Sequence, residues 1–220
     1  MEQAVQKKLD AFFMQGSPLS FRKGDILIRA GEPIHMVYYL KKGHVRQFIN
    51  TADGQDLTLH LFRPISYLPT MLLLSTSENK YNFEVIDEVV VWPKRADQVI
   101  RFLKENPDVL FDLATRLSLG IVGLLEKIEN ATYTNAYHKI LSLLLYLANH
   151  YAFSAKDTTM LSLKLTHTDI ASWTGMQRET ASRQLEKLKK EGIITFEKSQ
   201  CLVDKQKLKR ELDSLAKNAP

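Results

Sequence analysis

The chain has 220 residues, of which 45% are hydrophobic and 25% charged, and this predicts a soluble globular protein with two modest domains. No apolar run is long enough to cross a bilayer and the first residues lack a signal-peptide pattern, so we expect a cytoplasmic protein with no membrane partner. The single cysteine, Cys201, excludes an internal disulfide and a cysteine-ligated zinc or iron–sulfur centre, and we expect it to be a small apolar filler.

Positive charge is concentrated in the C-terminal part of the chain. Residues 1–131 carry 16 Lys and Arg against 16 Asp and Glu, whereas residues 132–220 carry 14 against 9. A basic C-terminal module on a neutral N-terminal one indicates a polyanion as the partner of the former.

The stretch from about residue 19 to residue 93 predicts an antiparallel β-roll or barrel. Segments such as HMVYYLKKG, LTLHLF and FEVIDEVVVW are rich in β-branched and aromatic residues and are separated by turn residues. ADGQ is typical of a hairpin, with Asp53 and Gly54 at its turn. A left-handed backbone is expected at four glycines between the strands: Gly24, Gly31, Gly43 and Gly54.

After Pro107 the apolar residues recur at steps of three and four, which predicts a helix of several turns. This heptad-like stripe must be covered by the chain's own roll, by the same helix of a second subunit, or by both. We favour a dimer seam, formed by Leu110, Leu113, Leu117, Ile121, Leu124 and Ile128.

The segments that follow alternate between apolar and polar. AYHKILSLLLYLANHY is apolar on most faces and predicts a buried helix, whereas AFSAKDTTM predicts a polar loop. The remaining chain predicts a strand, two short helices joined by a turn, and a final hairpin in GIITFEKSQCLV.

The two short helices have the parts of a helix-turn-helix. Thr166 and Asp169 fit a capping pair at a helix start, and Gly175 supplies the turn. A second helix is predicted from about residue 177 to residue 190, with Gly192 as its stop. The hairpin directly behind it makes the motif a winged one.

The second helix separates an apolar face from a polar one. Its buried side is predicted to be Ala181, Leu185 and Leu188. Arginine can bond O6 and N7 of guanine, and glutamate can accept from the cytosine amino group. Base reading is therefore expected from Arg178, Glu179, Ser182 and Arg183. Phosphate contacts are expected from His167, Thr168, Lys187, Lys189 and Lys190.

A surface ion pair is the competing interpretation of this polar face. Glu179 and Arg183 are four residues apart, a spacing at which opposite charges pair on a helix. The preceding short helix with its glycine turn, and the hairpin behind, favour DNA binding instead.

These residues strongly resemble the DNA-binding end of the CRP/FNR family, named for the cyclic-AMP receptor protein and the fumarate-nitrate regulator. The specific signal is RETxxRxLxxLxxxGII, within TDIASWTGMQRETASRQLEKLKKEGIITFEKSQCLVDKQKL. The resemblance extends upstream through HKILSLLLYLA, KENPDVLFDLATRL and the glycine-punctuated roll, so it covers nearly the whole chain.

The resemblance implies an α+β fold in three parts. These are an effector-binding, cyclic-nucleotide-binding-like β-roll with flanking helices over residues 1–105, a long dimerisation helix over 106–131, and a winged helix-turn-helix over 132–220. It also implies a bacterial, homodimeric transcription regulator that binds an inverted repeat in double-stranded DNA. RNA polymerase is implied as a further partner, although no motif marks that contact.

The sequence departs from the family where cyclic AMP would bind. Cyclic-AMP binders carry a Gly-Glu pair and an Arg-Ser pair for the cyclic phosphate, and RPISYLPTMLLLSTSENKYNFEV contains neither. The polar pair that contacts adenine from the long helix is replaced by Leu124 and Leu125. We therefore do not expect cyclic AMP to bind.

An unknown effector of apolar or weakly polar character is expected instead, unless side chains fill the pocket. Its lining is predicted to be Tyr67, Leu68, Met71, Leu72, Lys80, Tyr81, Leu124 and Leu125.

Haem as a cofactor and two other functions, a cupin-like metal enzyme and a sensor acting through protein contacts, are the remaining alternatives. His35, His44 and His60 fall in the roll, but lone histidines in strands are more often structural than haem ligands. Their spacing also lacks the His-x-His cluster of a cupin-like metal enzyme, so we expect no metal, no catalytic residue and no enzyme. The third is a cyclic-nucleotide-like sensor acting through protein contacts, which the basic C-terminal part disfavours.

Overall fold

The computed structural model describes residues 3–52, 54–132, 135–150, 152–155, 158–161, 165–197 and 200–217. The chain divides into two units, residues 1–124 and 125–220. No helix among the residues described is long and apolar enough to span a membrane.

Among the described residues, the N-terminal unit contains eight strands, three helices and most of a fourth helix, which continues past residue 124. The strands are β1 (Leu19–Phe21), β2 (Ile26–Ile28), β3 (Met36–Lys42), β4 (Val45–Asn50), β5 (Asp56–Phe62), β6 (Ser66–Leu68), β7 (Asn82–Val85) and β8 (Val89–Arg95). The helices are α1 (Gln3–Phe13), α2 (Thr70–Ser75), α3 (Ala96–Glu105) and α4 (Pro107–Thr132). The strands form two antiparallel four-stranded sheets, in the orders β1-β8-β3-β6 and β2-β7-β4-β5. The predicted roll is thus present, although FEVIDEVVVW forms two strands, β7 and β8, rather than one.

Strand β3 lies between two hydrophobic layers, because successive side chains of a strand point to opposite faces. Val37 and Tyr39 are buried among residues of α1, α3 and the start of α4. Leu40 is buried in the other layer, with Val45 and Phe83 of the second sheet. The roll therefore has helices on one side of the β3 sheet and the second sheet on the other.

Gly43, between β3 and β4, is fixed by both its backbone and its surroundings. Its φ is +82°, as predicted for this break. A Cβ there would collide with the Glu88 carbonyl oxygen and would lie 2.8 Å from the Asp87 Oδ1. Only glycine fits this position.

We expect Gly43→Ala to destabilise the protein more than Gly54→Ala, a matched control. Gly54 has a similar φ of +79°, but its Cβ would meet nothing within 4 Å. Both substitutions incur about 1–2 kcal/mol for a left-handed backbone, and only the first adds a collision. Urea unfolding measures both free energies. Equal losses would show that the contact with Glu88 is unimportant.

The N-terminal half of α4 is bound to the roll by an arginine. Arg116 Nε donates to Asp112 Oδ2 one turn earlier, at 2.6 Å, and its Nη1 donates to the Ile65 carbonyl oxygen at 3.2 Å. Ile65 has a φ of +71°, which is strained for a β-branched residue. The arginine therefore supports a strained loop between β5 and β6.

In its described residues, the second unit combines the end of α4 and four further helices with a four-stranded antiparallel sheet. Its helices are α5 (Ala136–His150), α6 (His167–Thr174), α7 (Arg178–Lys190) and α8 (Lys205–Lys217). Its strands are β9 (Ala152–Ala155), β10 (Thr158–Leu161), β11 (Ile194–Glu197) and β12 (Gln200–Asp204), in the order β11-β12-β10-β9.

Two predictions for this unit need correction. The predicted loop over residues 152–160 contains β9 and most of β10, because β9 pairs with β10 and β10 pairs with β12. The strand predicted next begins within β10, and residues 162–164 lie outside the described part. Helix α8 was not predicted. The buried helix α5 is confirmed, and so is the apolar role of Cys201, where burial raises the pKa of the thiol to about 12.

Candidate nucleic-acid interface

Helix α6 begins with the predicted capping pair. The Asp169 backbone N–H donates to Thr166 Oγ1 at 3.1 Å, and the Thr166 backbone N–H donates to Asp169 Oδ2 at 2.8 Å. The helix ends at Gly175, whose φ is +64°. The chain then turns into α7, so the predicted helix-turn-helix is present.

Helix α7 has the predicted two faces. Ala181, Leu185 and Leu188 are buried in the second unit. Arg178, Glu179 and Arg183 are exposed near the N-terminal end of the helix. Gln177 makes no side-chain cap there. The first backbone N–H groups of a helix have no partner within it and can donate to an acceptor such as a phosphate oxygen.

The competing interpretation of this face was an ion pair between Glu179 and Arg183. Pairs at the same spacing do occur elsewhere, between Arg116 and Asp112 and between Lys187 and Glu191. Within the described residues, no salt bridge joins Glu179 to Arg183. Arg178, Glu179 and Arg183 are therefore exposed, and Glu179 and Arg183 do not neutralise each other's charge.

The structure links two predicted contact residues that are distant in sequence. His167 Nδ1 lies 2.9 Å from Ser182 Oγ, so the first residue of α6 is hydrogen-bonded to the second turn of α7. Thr168 is exposed beside it. No local pattern in the sequence indicates this bond, because it depends on how the two helices pack.

The predicted lysine contacts lie at the other end of α7. Lys190 is about 18 Å along the helix axis from Arg178. Lys187 Nζ lies 3.9 Å from the centroid of the Tyr137 ring and 3.8 Å from Glu191 Oε1. Lys187 is thus engaged within its own unit, while Lys189 and Lys190 are exposed.

The apolar stripe of α4 is displaced from the predicted one. Leu113 is 3% exposed and packs with the partly buried Leu117 against the roll's own core, so both are removed from the predicted seam. Leu110, Ile121, Leu124 and Ile128 are exposed, as are Phe111 at 76% and Leu125 at 60%. Exposed small or apolar residues now follow an unbroken three-four spacing, at Phe111, Ala114, Ser118, Ile121, Leu125 and Ile128.

A cavity of about 530 Å³ opens beside α2, in the first unit. Its lining is Met71, Leu72, Ser75, Ser77, Glu78, Lys80 and Tyr81. The loop that carries Lys80 is anchored by buried Asn79, whose Nδ2 donates to the Arg29 carbonyl oxygen at 2.7 Å. Four predicted pocket residues therefore lie on one cavity, but a carboxylate and two serines make it more polar than expected.

The other four predicted pocket residues do not line this cavity. Tyr67 is buried among the helices and Leu68 between the sheets, because adjacent residues of β6 point to opposite faces. Burial raises the pKa of Tyr67. Leu124 and Leu125 are exposed on α4.

Two of the histidines in the roll have side-chain neighbours of their own. His44 Nδ1 lies 2.8 Å from Asp87 Oδ2, and the His60 ring packs edge-on against Phe62. Among the described residues, no group of three or more His, Cys, Asp and Glu is arranged to hold a metal ion.

Comparison with known proteins places this geometry in a family. Residues 18–106 match the cyclic nucleotide-binding domain, and residues 138–211 match the Crp-like helix-turn-helix domain. The transcriptional regulator SdrP of Thermus thermophilus is 30% identical over 180 residues, which cover 80% of this chain and 84% of SdrP. The global nitrogen regulator of a Nostoc species is 28% identical, with 84% of each chain covered.

Solved structures agree with these matches. The crystal structure of a CRP/FNR-family transcriptional regulator from Thermus thermophilus superposes with a TM-score of 0.71 and 26% identity, covering 90% of this chain and 98% of that one. The c-di-GMP-responsive global regulator CLP of Xanthomonas campestris shares the fold, with a TM-score of 0.75, 18% identity, and coverage of 92% of this chain and 99% of that one. These relatives are transcription regulators rather than enzymes. This chain is a DNA-binding transcription regulator that belongs to the CRP/FNR family.

Proposed function

We propose that the protein is a cytoplasmic homodimer that reads G·C pairs of an inverted-repeat operator through Arg178, Glu179 and Arg183. The observation that carries this proposal is the exposure of all three side chains at the start of α7, opposite a buried apolar face. The N-terminal end of the second helix is the part that enters the major groove in a helix-turn-helix. Each arginine that bonds both acceptors of guanine favours that base by about 1–3 kcal/mol.

The proposed dimer uses the displaced stripe on α4. Steps of three and four keep one side of a helix facing a partner helix, as in a coiled coil. Phe111, Ile121, Leu125 and Ile128 supply large apolar side chains on this side, and Ala114 and Ser118 supply small ones. On an inverted repeat, the two recognition helices of a helix-turn-helix dimer bind half-sites about 34 Å apart, one turn of DNA.

Selection from random duplex DNA tests the proposal. We expect the purified protein to enrich an inverted repeat with a conserved G·C pair in each half-site. The selection is run with and without cell extract, which supplies an effector if one is required. Failure to enrich any sequence under both conditions would contradict the proposed operator reading.

Positioning contacts to phosphate are proposed for His167, Thr168, Lys189 and Lys190. The first two lie at the head of α6, and the lysines are exposed in the last turn of α7. These contacts carry no sequence information, but they make binding depend on salt because phosphate neutralisation releases counterions. A sensor that acts only through protein contacts would show no such salt dependence.

We expect the cavity beside α2 not to bind cyclic AMP. Glu78 adds a carboxylate to its lining, and Lys80 is the one cation among the lining residues. A cyclic phosphate held there would face this negative charge without an arginine to bond both of its free oxygens. Isothermal titration calorimetry with cyclic AMP should give no binding heat at millimolar ligand. Saturable binding, lost in Lys80→Ala, would contradict this expectation.

A further inference from the structure

The hydrogen bond between His167 and Ser182 changes the role expected of Ser182. Ser182 lies next to Arg183 on α7, so its position alone favours base reading. Its Oγ is nevertheless 2.9 Å from His167 Nδ1, on the neighbouring helix. Both side chains are half-buried, whereas Arg178 and Arg183 are exposed. Ser182 therefore already has a partner inside the helix-turn-helix.

This bond determines what the histidine ring can offer to DNA. A neutral imidazole has one N–H donor and one acceptor nitrogen. When the Ser182 hydroxyl donates to Nδ1, the ring proton is on Nε2, and the Nε2–H is the donor that remains. A phosphate oxygen accepts but cannot donate, so a phosphate contact at Nε2 of the neutral ring requires this arrangement. Ser182 then has no proton left to donate to a base.

We propose that Ser182 is a positioning residue, which holds His167 so that its Nε2–H bonds a DNA phosphate, and that Ser182 does not read a base. The inference rests on the proposed function, because it assumes that the start of α7 lies in the major groove. His167 is the first residue of α6, directly after the capping residue Thr166. A phosphate contact at this position fixes the angle at which α7 meets the bases, without selecting a sequence.

A double-mutant cycle tests the coupling. Ser182→Ala and His167→Ala should each weaken binding by roughly threefold to tenfold per half-site, the size of one lost hydrogen bond. The double variant should be no weaker than His167→Ala alone, because Ser182 acts through the histidine. Ser182→Thr keeps the hydroxyl and should restore most of the affinity. Circular dichroism melting of each variant establishes that the helix-turn-helix is folded.

The base preference of each variant separates the two roles. With Ser182→Ala, selection from random DNA should return the wild-type sequence preference, since operator and non-operator DNA are weakened by the same factor. Relaxed preference at one base pair, or additive losses in the double variant, would overturn the inference. Arg178→Ala, assayed in parallel, tests the proposed function itself. If that variant keeps the wild-type preference while Ser182 and His167 remain coupled, the base-reading assignment fails and the phosphate contact stands.

Discussion

Leu125→Glu is expected to dissociate the dimer and to abolish operator binding with it. Leu125 is 60% exposed in the single chain and is the fifth of the six residues in the three-four stripe on α4, between Ile121 and Ile128. A two-fold axis would bring two new carboxylates together in an apolar seam, where each ion costs several kcal/mol to desolvate. We expect the dimer dissociation constant to rise by at least roughly a hundredfold, which corresponds to about 2.8 kcal/mol.

Leu119→Glu is the matched control for this substitution. Leu119 is similarly exposed, at 66%, but the helical repeat of about 100° per residue puts it on the other side of α4 from Ile121 and Leu125. Sedimentation equilibrium at micromolar concentration should therefore find Leu119→Glu dimeric and Leu125→Glu monomeric. Fluorescence anisotropy should find operator binding in the first variant alone. A Leu125→Glu dimer of unchanged stability would contradict the proposed seam.

Arg178→Ala is expected to have the second largest effect. One guanine contact contributes about 1–3 kcal/mol of discrimination, and a dimer on an inverted repeat makes it twice. The operator should therefore be bound more weakly by roughly 2–6 kcal/mol, while binding to unrelated DNA falls much less. Competition titrations with operator and non-operator duplexes measure this ratio directly.

Arg210→Ala provides the comparison for Arg178→Ala. Arg210 is an exposed arginine on α8, in the same unit, so its removal changes the net charge equally. We expect Arg210→Ala to retain the wild-type ratio of operator to non-operator affinity. If both variants lose affinity for the two DNAs alike, Arg178 acts through charge rather than through base recognition.

The helix-turn-helix was predictable because its signals are local. Thr166 and Asp169 are three residues apart, Gly175 needs a left-handed backbone, and the buried face of α7 has helical spacing. Each of these features depends on a few neighbouring residues, so the sequence contains enough information to place both helices. The charged face of α7 was predicted from the same helical spacing.

The register of the α4 stripe was only partly predictable. Two overlapping three-four patterns run through this helix, one through Leu113 and Leu117 and the other through Ser118 and Leu125. The sequence does not say which one the roll covers. The structure does, because Leu113 packs with residues of α1 and α3 that are distant in sequence. The prediction that Tyr67 and Leu68 line the cavity was wrong for a similar reason. The alternation of side chains along β6 directs these two residues into separate hydrophobic cores.

Strands β9 and β10 were not predicted, because the composition of a segment does not show which distant strand its backbone pairs with. AFSAKDTTM has polar residues that are typical of a loop, yet its last three residues belong to β10 and pair with β12, which lies more than 40 residues later. Pairing over that distance leaves no periodic signal. The bond between His167 and Ser182 is another contact of this kind, because it joins two helices through residues that helical spacing alone does not relate.

The most direct measurement of the central claim is the affinity for inverted repeats whose half-site spacing is varied. A symmetric dimer with two recognition helices should bind best when the half-site centres are about one helical turn apart. A change of about five base pairs rotates one half-site to the opposite side of the duplex, and we expect it to reduce the affinity to that for unrelated DNA. An affinity that is indifferent to spacing would contradict a fixed dimer and show that each helix-turn-helix binds independently.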